Sequence, residues 1–216
     1  MGLKENLMNI SSNSYNVKKE ENRNQPKFDR EKIMKAVTMI IEAIGDDPSR
    51  EGLIGTPDRV ARMYEEIYEG MAYSNDQIAE MFSTCFETSE DNDSLVTITD
   101  IPVFSSCEHH LALMYDMNVS IGYIPTKGRV IGLSKAARIA EMCAHRLQLQ
   151  EKLGEDIAEV IKKVTGSDDV IVVIKGKHSC MTSRGVKSPA VTKTATIHGR
   201  FRTVSDLRKE FYSLLD

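Results

Sequence analysis

The 216-residue chain is long enough to bury the core of one domain with a smaller attached lobe. Its 41% hydrophobic and 28% charged residues are typical of a soluble globular protein, and no apolar run approaches the roughly 18 residues of a membrane helix, which argues against a membrane protein. A formal net charge of −4 argues against general nucleic-acid binding, so an anionic substrate would need a local cluster of basic side chains.

The chain begins with a polar segment. Residues 1–27 are rich in Asn, Ser, Lys and Glu without a hydrophobic period, and this composition predicts a disordered tail. The segment has neither an apolar signal core nor an Arg-rich amphipathic pattern, so we expect a cytoplasmic protein. In that compartment four cysteines, two of them close to histidines, favour metal binding over a disulfide framework.

Helical periodicity in residues 28–92 predicts an N-terminal helical region. Apolar residues that recur every three or four positions predict a first helix, with Gly45 as its C-terminal cap. Thr56 is the predicted N-cap of a second helix, with Pro57 at its first position. Ser74 begins a capping box that predicts a third, short helix.

Residues 93–216 shift toward strand-like alternation and predict a second unit. Two strands are predicted first, at 95–104 and 117–123, with Tyr115 and Asp116 near the bend between them. Two helices follow, one from Ser134 as N-cap to about 146 and one that ends at Gly166. Further strands at 170–175 and 190–201 and a last helix at 205–215 complete the chain. This order predicts an α+β fold, a four-stranded antiparallel sheet with two helices packed on one face. Such a sheet leaves edges that oligomerisation would protect.

Two segments that are far apart in the sequence contain cysteines and histidines with the spacing typical of metal ligands. Cys107 and His110 form a C-x-x-H pair, and Cys180 completes a set of three ligands of the kind that Zn²⁺ selects. Three protein ligands without an obvious fourth are typical of a catalytic zinc with an open position. His109 and His178 then lie beside the metal, and either could act as a general base. The alternative is that these are unrelated buried and surface residues.

A basic cluster begins the helix after Gly132. Ser134, Lys135 and Arg138 place a hydroxyl, an ammonium and a guanidinium at a helix N-terminus, which suits an oligo-anion such as phosphate. The alternative is an N-cap followed by solvated charges. By themselves, Arg59 and Arg184 are more typical of surface arginines.

Six motifs follow one another along the chain: G-T-P-x-R-V-A-R-M at 55–63, S-x-C-E-H-H at 105–110, G-Y-I-P at 122–125, V-I-G-L-S-K-x-x-R at 130–138, Q-E at 150–151 and H-S-C-x-x-x-R-G at 178–185. With these motifs in family order, the chain resembles GTP cyclohydrolase I. The resemblance covers about 28–201 and omits the tail and the last helix. One departure is Leu147, where family members often have proline.

The resemblance implies a reaction and roles for the metal-site residues. Cys107, His110 and Cys180 would hold zinc, while His109, His178 and Ser134 would transfer protons. GTP would be hydrolysed at C8 of guanine, lose formate and rearrange to 7,8-dihydroneopterin triphosphate, the first step of folate and pterin synthesis.

The resemblance also implies how GTP is bound. The predicted triphosphate ligands are Lys135, Arg138, Arg184 and Arg59. Glu151, expected as a buried carboxylate, would accept hydrogen bonds from N1–H and the 2-amino group of guanine, which adenine does not offer. Gln150 and the backbone around Leu133 would line the same pocket, and Glu108 would anchor substrate or order its loop.

The implied fold of residues 93–216 is the tunnelling fold, in which the sheets of several subunits join into a β-barrel. The implied partner is therefore the chain itself, as a decamer of two pentamers with active sites between subunits. A rival interpretation is a nucleotide-binding module with a structural zinc, which would need Cys85 or Cys143 as a fourth ligand, although we predict a helical context for both. A second rival, the tunnelling-fold reductase acting on a deazaguanine, does not share the C-E-H-H motif.

Overall fold

A computed structural model describes residues 28–88 and 94–215. The predicted tail at 1–27 lies outside the described residues, as does the predicted boundary at 92 and 93. The first part of the described chain is helical, as predicted. It consists of helices α1 (Arg30–Ala43), α2 (Thr56–Ile67) and α3 (Asn75–Met81), with a 3₁₀ turn at Glu69–Ala72.

The ends of these helices follow local capping chemistry. Gly45 lies just beyond α1 with φ of 89°, a conformation that glycine adopts without strain. The predicted capping box is confirmed, because the Ser74 hydroxyl accepts from the backbone N–H of Gln77 and the Gln77 side chain accepts from that of Ser74. The prediction for Thr56 is wrong by one position: Gly55 is the N-cap and Thr56 is already helical.

The main sheet has five strands rather than the predicted four. The four predicted strands, β2 (Val96–Cys107), β3 (Ala112–Tyr123), β6 (Val170–His178) and β7 (Thr192–Ile197), are antiparallel, as predicted, and the structure places them side by side in that order. The fifth strand, β5 (Leu147–Gln148), adds to β2 in parallel. A separate small sheet pairs β1 (Cys85–Glu87) with β4 (Arg129–Ile131), so the predicted helical context of Cys85 is wrong.

The connection between β2 and β3 lies at residues 108–111, not near Tyr115 and Asp116. Both residues are inside β3, at an irregularity in its pairing with β6 where Asp116 adopts φ of 49°. The irregularity interrupts the alternation of buried and exposed positions, which is why the sequence pattern places the start of the strand too late. The turn itself is therefore made by the Cys-Glu-His-His motif.

Two helices, α4 (Leu133–Ala144) and α5 (Gln150–Thr165), pack on one face of the sheet, as predicted. The N-cap of α4 is Gly132, whose carbonyl accepts from the N–H of Lys135, so the prediction of Ser134 as N-cap is wrong and Ser134 lies in the first turn. Helix α5 ends at Gly166 with φ of 71°, as predicted.

The C-terminal part covers some of the opposite face. Residues 200–201, predicted as strand, belong to the short helix α7 (Arg200–Thr203), and α8 (Ser205–Ser213) follows. Phe201 and Phe211 are fully buried in a second apolar cluster with Ile171 of β6. A Cβ on Gly122 would meet the Phe211 ring at 2.5 Å, so this glycine admits the ring against β3.

The core lies between the sheet and the helices α4 and α5. Its fully buried members include Val119, Ile121, Ile139, Ile157 and Ile161. Within the described part of the chain, no helix is both long and apolar enough to cross a membrane. The core leaves the ends of β2 and β6, with their cysteines and histidines, at one end of the sheet.

Candidate metal centre

The ends of three adjacent strands bring the two Cys–His motifs together. Strand β2 ends at Cys107, and the turn into β3 contains His109 and His110. Strand β6 ends at His178, which pairs in register with Met114 of β3. The next segment, the short helix α6 (Ser179–Thr182), carries Cys180. The sheet thus joins motifs that are about seventy residues apart in sequence.

Two thiols face each other at this end of the sheet. The Sγ atoms of Cys107 and Cys180 are 4.0 Å apart, and both cysteines are free. Two Zn–S bonds of about 2.3 Å at a tetrahedral angle separate their sulfurs by about 3.8 Å, whereas a disulfide requires about 2.05 Å. Cys107 is only 3% exposed. The pair therefore has the spacing of two metal ligands.

A histidine completes the group. Among the described residues, one ligand atom each from Cys107, His178 and Cys180 lie within 4.8 Å of one another. Burial raises the pKa of the Cys180 thiol, and the neighbouring Cys107 raises it further, because two adjacent thiolates would repel each other. A bound divalent cation would offset that repulsion. The donor set therefore fits a soft or borderline metal ion.

His110, the histidine predicted as third ligand, lies in the exposed turn beside Arg184. The Nη1 of Arg184 is 3.1 Å from Nε2 of His110. Because a guanidinium can only donate, Nε2 of His110 is the acceptor and carries its lone pair. This is the lone pair through which Nε2 would bind a metal, so binding through that atom requires Arg184 to turn away. Arg184 is exposed and has room to do so.

His178 lies against Gln150, the first residue of α5. Its Nε2 is 2.9 Å from Oε1 of Gln150. Burial lowers the pKa of His178, and the negative charge of the nearby Glu151 opposes this only in part. The imidazole is therefore neutral at pH 7.

The predicted guanine-pocket residues have contrasting environments. Gln150 is buried, and its side-chain amide is hydrogen-bonded to protein groups at both ends. Glu151 is exposed in this chain, which differs from the expected buried carboxylate, because it begins α5 on the side away from the sheet core. Leu133, the first residue of α4, has 68% of its surface exposed. An apolar residue this exposed is available to a ligand or another subunit.

The remaining predicted site residues lie on several elements at the surface. Ser134, Lys135 and Arg138 lie in the first two turns of α4, Arg59 is exposed on α2, and Glu108 and His109 are exposed in the turn after Cys107. Arg184, in the segment between α6 and β7, is hydrogen-bonded to His110. The structure thus brings together Cys107, Cys180 and His178, with Gln150 against His178, and it pairs His110 with Arg184 next to them in the chain.

The structure also contains a buried ion pair that the sequence analysis does not predict. Arg146 donates to Asp156 of α5 and to Asn75 of α3, each at 2.8 Å, and also to the carbonyls of Gly70 and Tyr73. The side chains of Arg146 and Asp156 are 12% and 4% exposed. The signal was present in the sequence, because Asp156 interrupts the apolar face of α5 between Leu153 and Ile157, where a charge needs a buried partner.

Comparison with known proteins identifies the family of the chain. The family profile of GTP cyclohydrolase I matches residues 33–216. A protein named GTP cyclohydrolase 1 from Clostridium acetobutylicum is 55% identical over 191 residues, which cover 87% of this chain and 97% of that protein.

Two further relatives have the same name. The one from Clostridium botulinum strain Kyoto is 55% identical over 82% of this chain and 92% of its own length. The one from Clostridium beijerinckii is 54% identical, with 85% and 95% covered. A profile that matches most of the chain, together with relatives of this identity and coverage, shows that the chain belongs to the GTP cyclohydrolase I family of enzymes.

Proposed function

We propose that the chain is a zinc enzyme that converts GTP to 7,8-dihydroneopterin triphosphate and formate, the first step of folate and pterin biosynthesis. The family supplies the GTP cyclohydrolase activity. The observation that favours a metal-dependent mechanism is the 4.0 Å separation of the Cys107 and Cys180 sulfurs at the end of the sheet, with His178 beside them.

The proposed zinc ligands are Cys107, Cys180 and His110. When bound there, zinc would polarise substrate oxygen and lower the pKa of a coordinated water. His110 is chosen because of the family motif, while His178 is the histidine that lies within ligand distance of both sulfurs in this structure. Metal content of the single variants His110→Ala and His178→Ala, measured after gel filtration, decides between them: the ligand variant loses the metal and the other keeps it.

Proton transfer is proposed for the histidines that do not bind zinc. His109, exposed in the turn, would protonate N7 of guanine as water adds at C8. His178, neutral at pH 7 because of its burial, would accept a proton during the later ring opening and ribose rearrangement. Ser134 would relay protons at the sugar. Glu108, exposed next to Cys107, would order the turn or anchor the substrate.

The triphosphate would be held by basic side chains of α2, α4 and the segment after α6. These are Arg59, Lys135, Arg138 and Arg184. Arg184 would exchange its hydrogen bond with His110 for one with phosphate, which frees His110 to bind zinc. A local cluster of this kind explains how a chain of net charge −4 can bind a polyanion.

Guanine would be recognised at the start of α5. The Glu151 carboxylate offers only acceptors, and N1–H and the 2-amino group of guanine are adjacent donors. Adenine has an acceptor at N1 and no 2-amino group, so ATP would leave the carboxylate without a partner. Leu133 and Gln150 would border this pocket, Leu133 by direct contact and Gln150 from behind, because it is buried.

We further propose the tunnelling fold for residues 93–216, the domain that would carry catalysis, with 28–92 as a helical region, and assembly of the sheets into a homodecamer. The exposed positions of Glu151, Leu133 and Arg59 support this assembly, because a neighbouring subunit would enclose a pocket that one chain leaves open. The edge strand β7 offers its free side for pairing with another copy.

One assay tests the activity. Purified protein is given GTP or ATP, and formate is measured before and after removal of metal with a strong chelator. We expect about one formate per GTP and none from ATP. Removal of the metal should abolish the activity, and added zinc should restore it. GTP binding without formate release would contradict the enzyme, and full activity at zero metal content would contradict the metal.

The rival structural-zinc module is disfavoured. It needs a fourth ligand, but Cys143 is buried within α4 and the Cys85 thiol donates to the carbonyl of Val164, so neither belongs to the Cys–His group in the part of the chain that the structure describes.

A further inference from the structure

The side-chain amide of Gln150 has a single possible orientation. Its Nε2 lies 3.1 Å from the carbonyl of Ile174, 3.4 Å from that of Thr192 and 3.2 Å from the hydroxyl of Thr194. The two carbonyls can only accept hydrogen bonds. Exchanging the two ends of the amide would place Oε1 against both carbonyl oxygens, so the nitrogen must face β6 and β7, and Oε1 must face His178.

This orientation determines where His178 carries its proton. Oε1 of Gln150 can only accept, and it lies 2.9 Å from Nε2 of His178. A hydrogen bond at this distance therefore requires a hydrogen on Nε2. A neutral imidazole has one ring hydrogen, so the lone pair of His178 is on Nδ1.

The site is built for this contact. Gln150 is 1% exposed, so water does not compete for its amide. Gly176, two residues before His178 on β6, has no side chain, and a Cβ there would lie 3.4 Å from Oε1 of Gln150 and 2.8 Å from Met117. A side chain at 176 would therefore press on Met117, and its Cβ would already be in contact with the amide oxygen.

We propose that Gln150 is a positioning residue: it holds His178 in the Nε2–H tautomer and leaves the ring lone pair on Nδ1, in a residue that has a ring nitrogen within 4.8 Å of the thiols of Cys107 and Cys180. Nδ1 is then the ring atom that can accept a hydrogen bond or bind a metal, while Nε2–H stays with Gln150. The inference deepens the proposed function, and it gives Gln150 a role that does not need contact with guanine. Outer partners of this kind typically change metal affinity or activity by about 10–100-fold.

The tautomer can be observed directly in the wild-type protein. The full chain is prepared with ¹³C,¹⁵N-labelled histidine and studied by magic-angle-spinning NMR, as purified and after treatment with chelator. His178 is identified through correlations with its labelled sequence neighbours. We expect a proton on Nε2 and none on Nδ1 in the neutral ring. A ring protonated on Nδ1 in both preparations would overturn the proposal, whatever the variants show.

Two matched variants test the causal step. Gln150→Met keeps the size of the side chain but removes the acceptor, and Gln148→Met does the same at a second buried glutamine, which bonds instead to the carbonyl of Cys143 and the hydroxyl of Ser105. We expect mixed tautomers of His178 and about 10–100-fold lower kcat or zinc affinity in Gln150→Met, with little change in KM for GTP. Gln148→Met should keep the wild-type tautomer.

The result is separable from the proposed function. If Gln150→Met retains one Nε2–H tautomer and the wild-type kcat and zinc affinity, the positioning role is wrong, although formate release by the wild type would still support the activity. If the wild type releases no formate, the proposed activity is wrong, but the tautomer of His178 can still be measured. If Gln150→Met does not fold, the wild-type spectrum alone decides.

Discussion

Two polar clusters each involve a residue of α5, and they differ in how their hydrogen bonds are used. In the rear cluster, the guanidinium of Arg146 is bonded to Asp156, Asn75 and two backbone carbonyls, and the acid is almost fully buried. The front cluster consists of Cys107, Cys180 and His178 with the nearby His109 and Arg184; the last two are exposed, and the two thiols face each other.

This difference distinguishes residues that stabilise the fold from residues that can bind a metal or substrate. Groups that are buried and matched within the chain hold the backbone in place, and they have no capacity left for a ligand. Groups that are exposed or have few partners within the chain keep their capacity for a metal or substrate. Gln150 shares features of both clusters. Its amide is buried and fully hydrogen-bonded within the chain, but one of its partners is His178 of the front cluster.

The largest expected effect is in the front cluster. Cys180→Ser removes one of the two thiolates, and a hydroxyl is a poor zinc ligand that does not ionise near pH 7. Zinc content should fall from about one per chain to near zero, and formate release by more than about 10³-fold, because the metal supplies several kcal/mol of transition-state stabilisation. After treatment with chelator, Cys180→Ser and the wild type should have similar midpoints of urea unfolding.

Cys143→Ser is the matched control for that change. Cys143 is a buried thiol of α4 outside the metal group of the described residues. This variant should lose stability but keep its zinc. Equal zinc retention by Cys180→Ser and the wild type would remove the distinction between the two clusters.

The rear cluster predicts a large effect on stability instead. Arg146→Ala leaves Asp156 buried with only Lys152, whose side chain is largely exposed, as a cationic partner. We expect the free energy of unfolding to fall by about 3 kcal/mol, the usual cost of removing one partner of a buried pair. Urea unfolding of the chelator-treated protein measures it.

The control for this variant is Arg62→Ala. Arg62 also pairs with an aspartate, Asp58, but the two side chains are 59% and 40% exposed, so water replaces the lost contact. Its unfolding midpoint should be nearly that of the wild type. If the two variants lose the same stability, the rear cluster is not the structural support that we infer.

The sequence predicts well those features that depend on neighbouring residues. The capping box at Ser74 and the end of α5 at Gly166 are confirmed, because side-chain capping and positive φ are decided within a few residues. The spacing of two cysteines to histidines predicts a metal site, and the structure places the sulfurs of Cys107 and Cys180 4.0 Å apart. Strand β5 was missed, because a two-residue strand in parallel with β2 has no periodicity of its own and depends on contacts about forty residues away.

Contacts across the site could not be predicted in the same way. Nothing local to Gln150 indicates that it faces β6 rather than a ligand, since this depends on how α5 is rotated against the sheet. Likewise, the exposure of Glu151 follows from its place at the start of that helix. Asp156 is the exception, because a charge on an apolar helix face is visible in the sequence.

A smaller effect is expected on substrate choice. Glu151→Gln replaces one carboxylate oxygen with an amide donor, which would meet a donor of guanine. We expect kcat/KM for GTP to fall about 100-fold, because hydrogen bonds to a charged group contribute about 1.5–3 kcal/mol. Glu155→Gln, one turn further along α5, is the control, because Glu155 bonds to His198 at 3.0 Å, outside the metal group. Equal losses in the two variants would argue against guanine recognition by Glu151.

The smallest effect concerns the buried thiol of Cys143 in α4. Burial raises the pKa of Cys143 to about 12, whereas an unfolded cysteine has a pKa of about 8.5. Above the lower value the unfolded chain loses this proton and the folded chain keeps it, so stability decreases as pH rises toward 12, by up to about 1.4 kcal/mol per pH unit. Below pH 8 the thiol is protonated in both states and has no such effect.

Cys143→Ala removes this dependence. Relative to the wild type, its free energy of unfolding should be lower at pH 7, because the side chain leaves a small cavity, and the gap should narrow as pH rises from 8.5 to 10.5. Urea unfolding at several pH values measures the gap. Ile139→Val also shortens a side chain of this helix but removes no titratable group. Its difference from the wild type in the free energy of unfolding should therefore stay constant as pH rises. Parallel curves for Cys143→Ala and the wild type would mean that the thiol is reached by water, and that the core beneath α4 is less closed than its full burial implies.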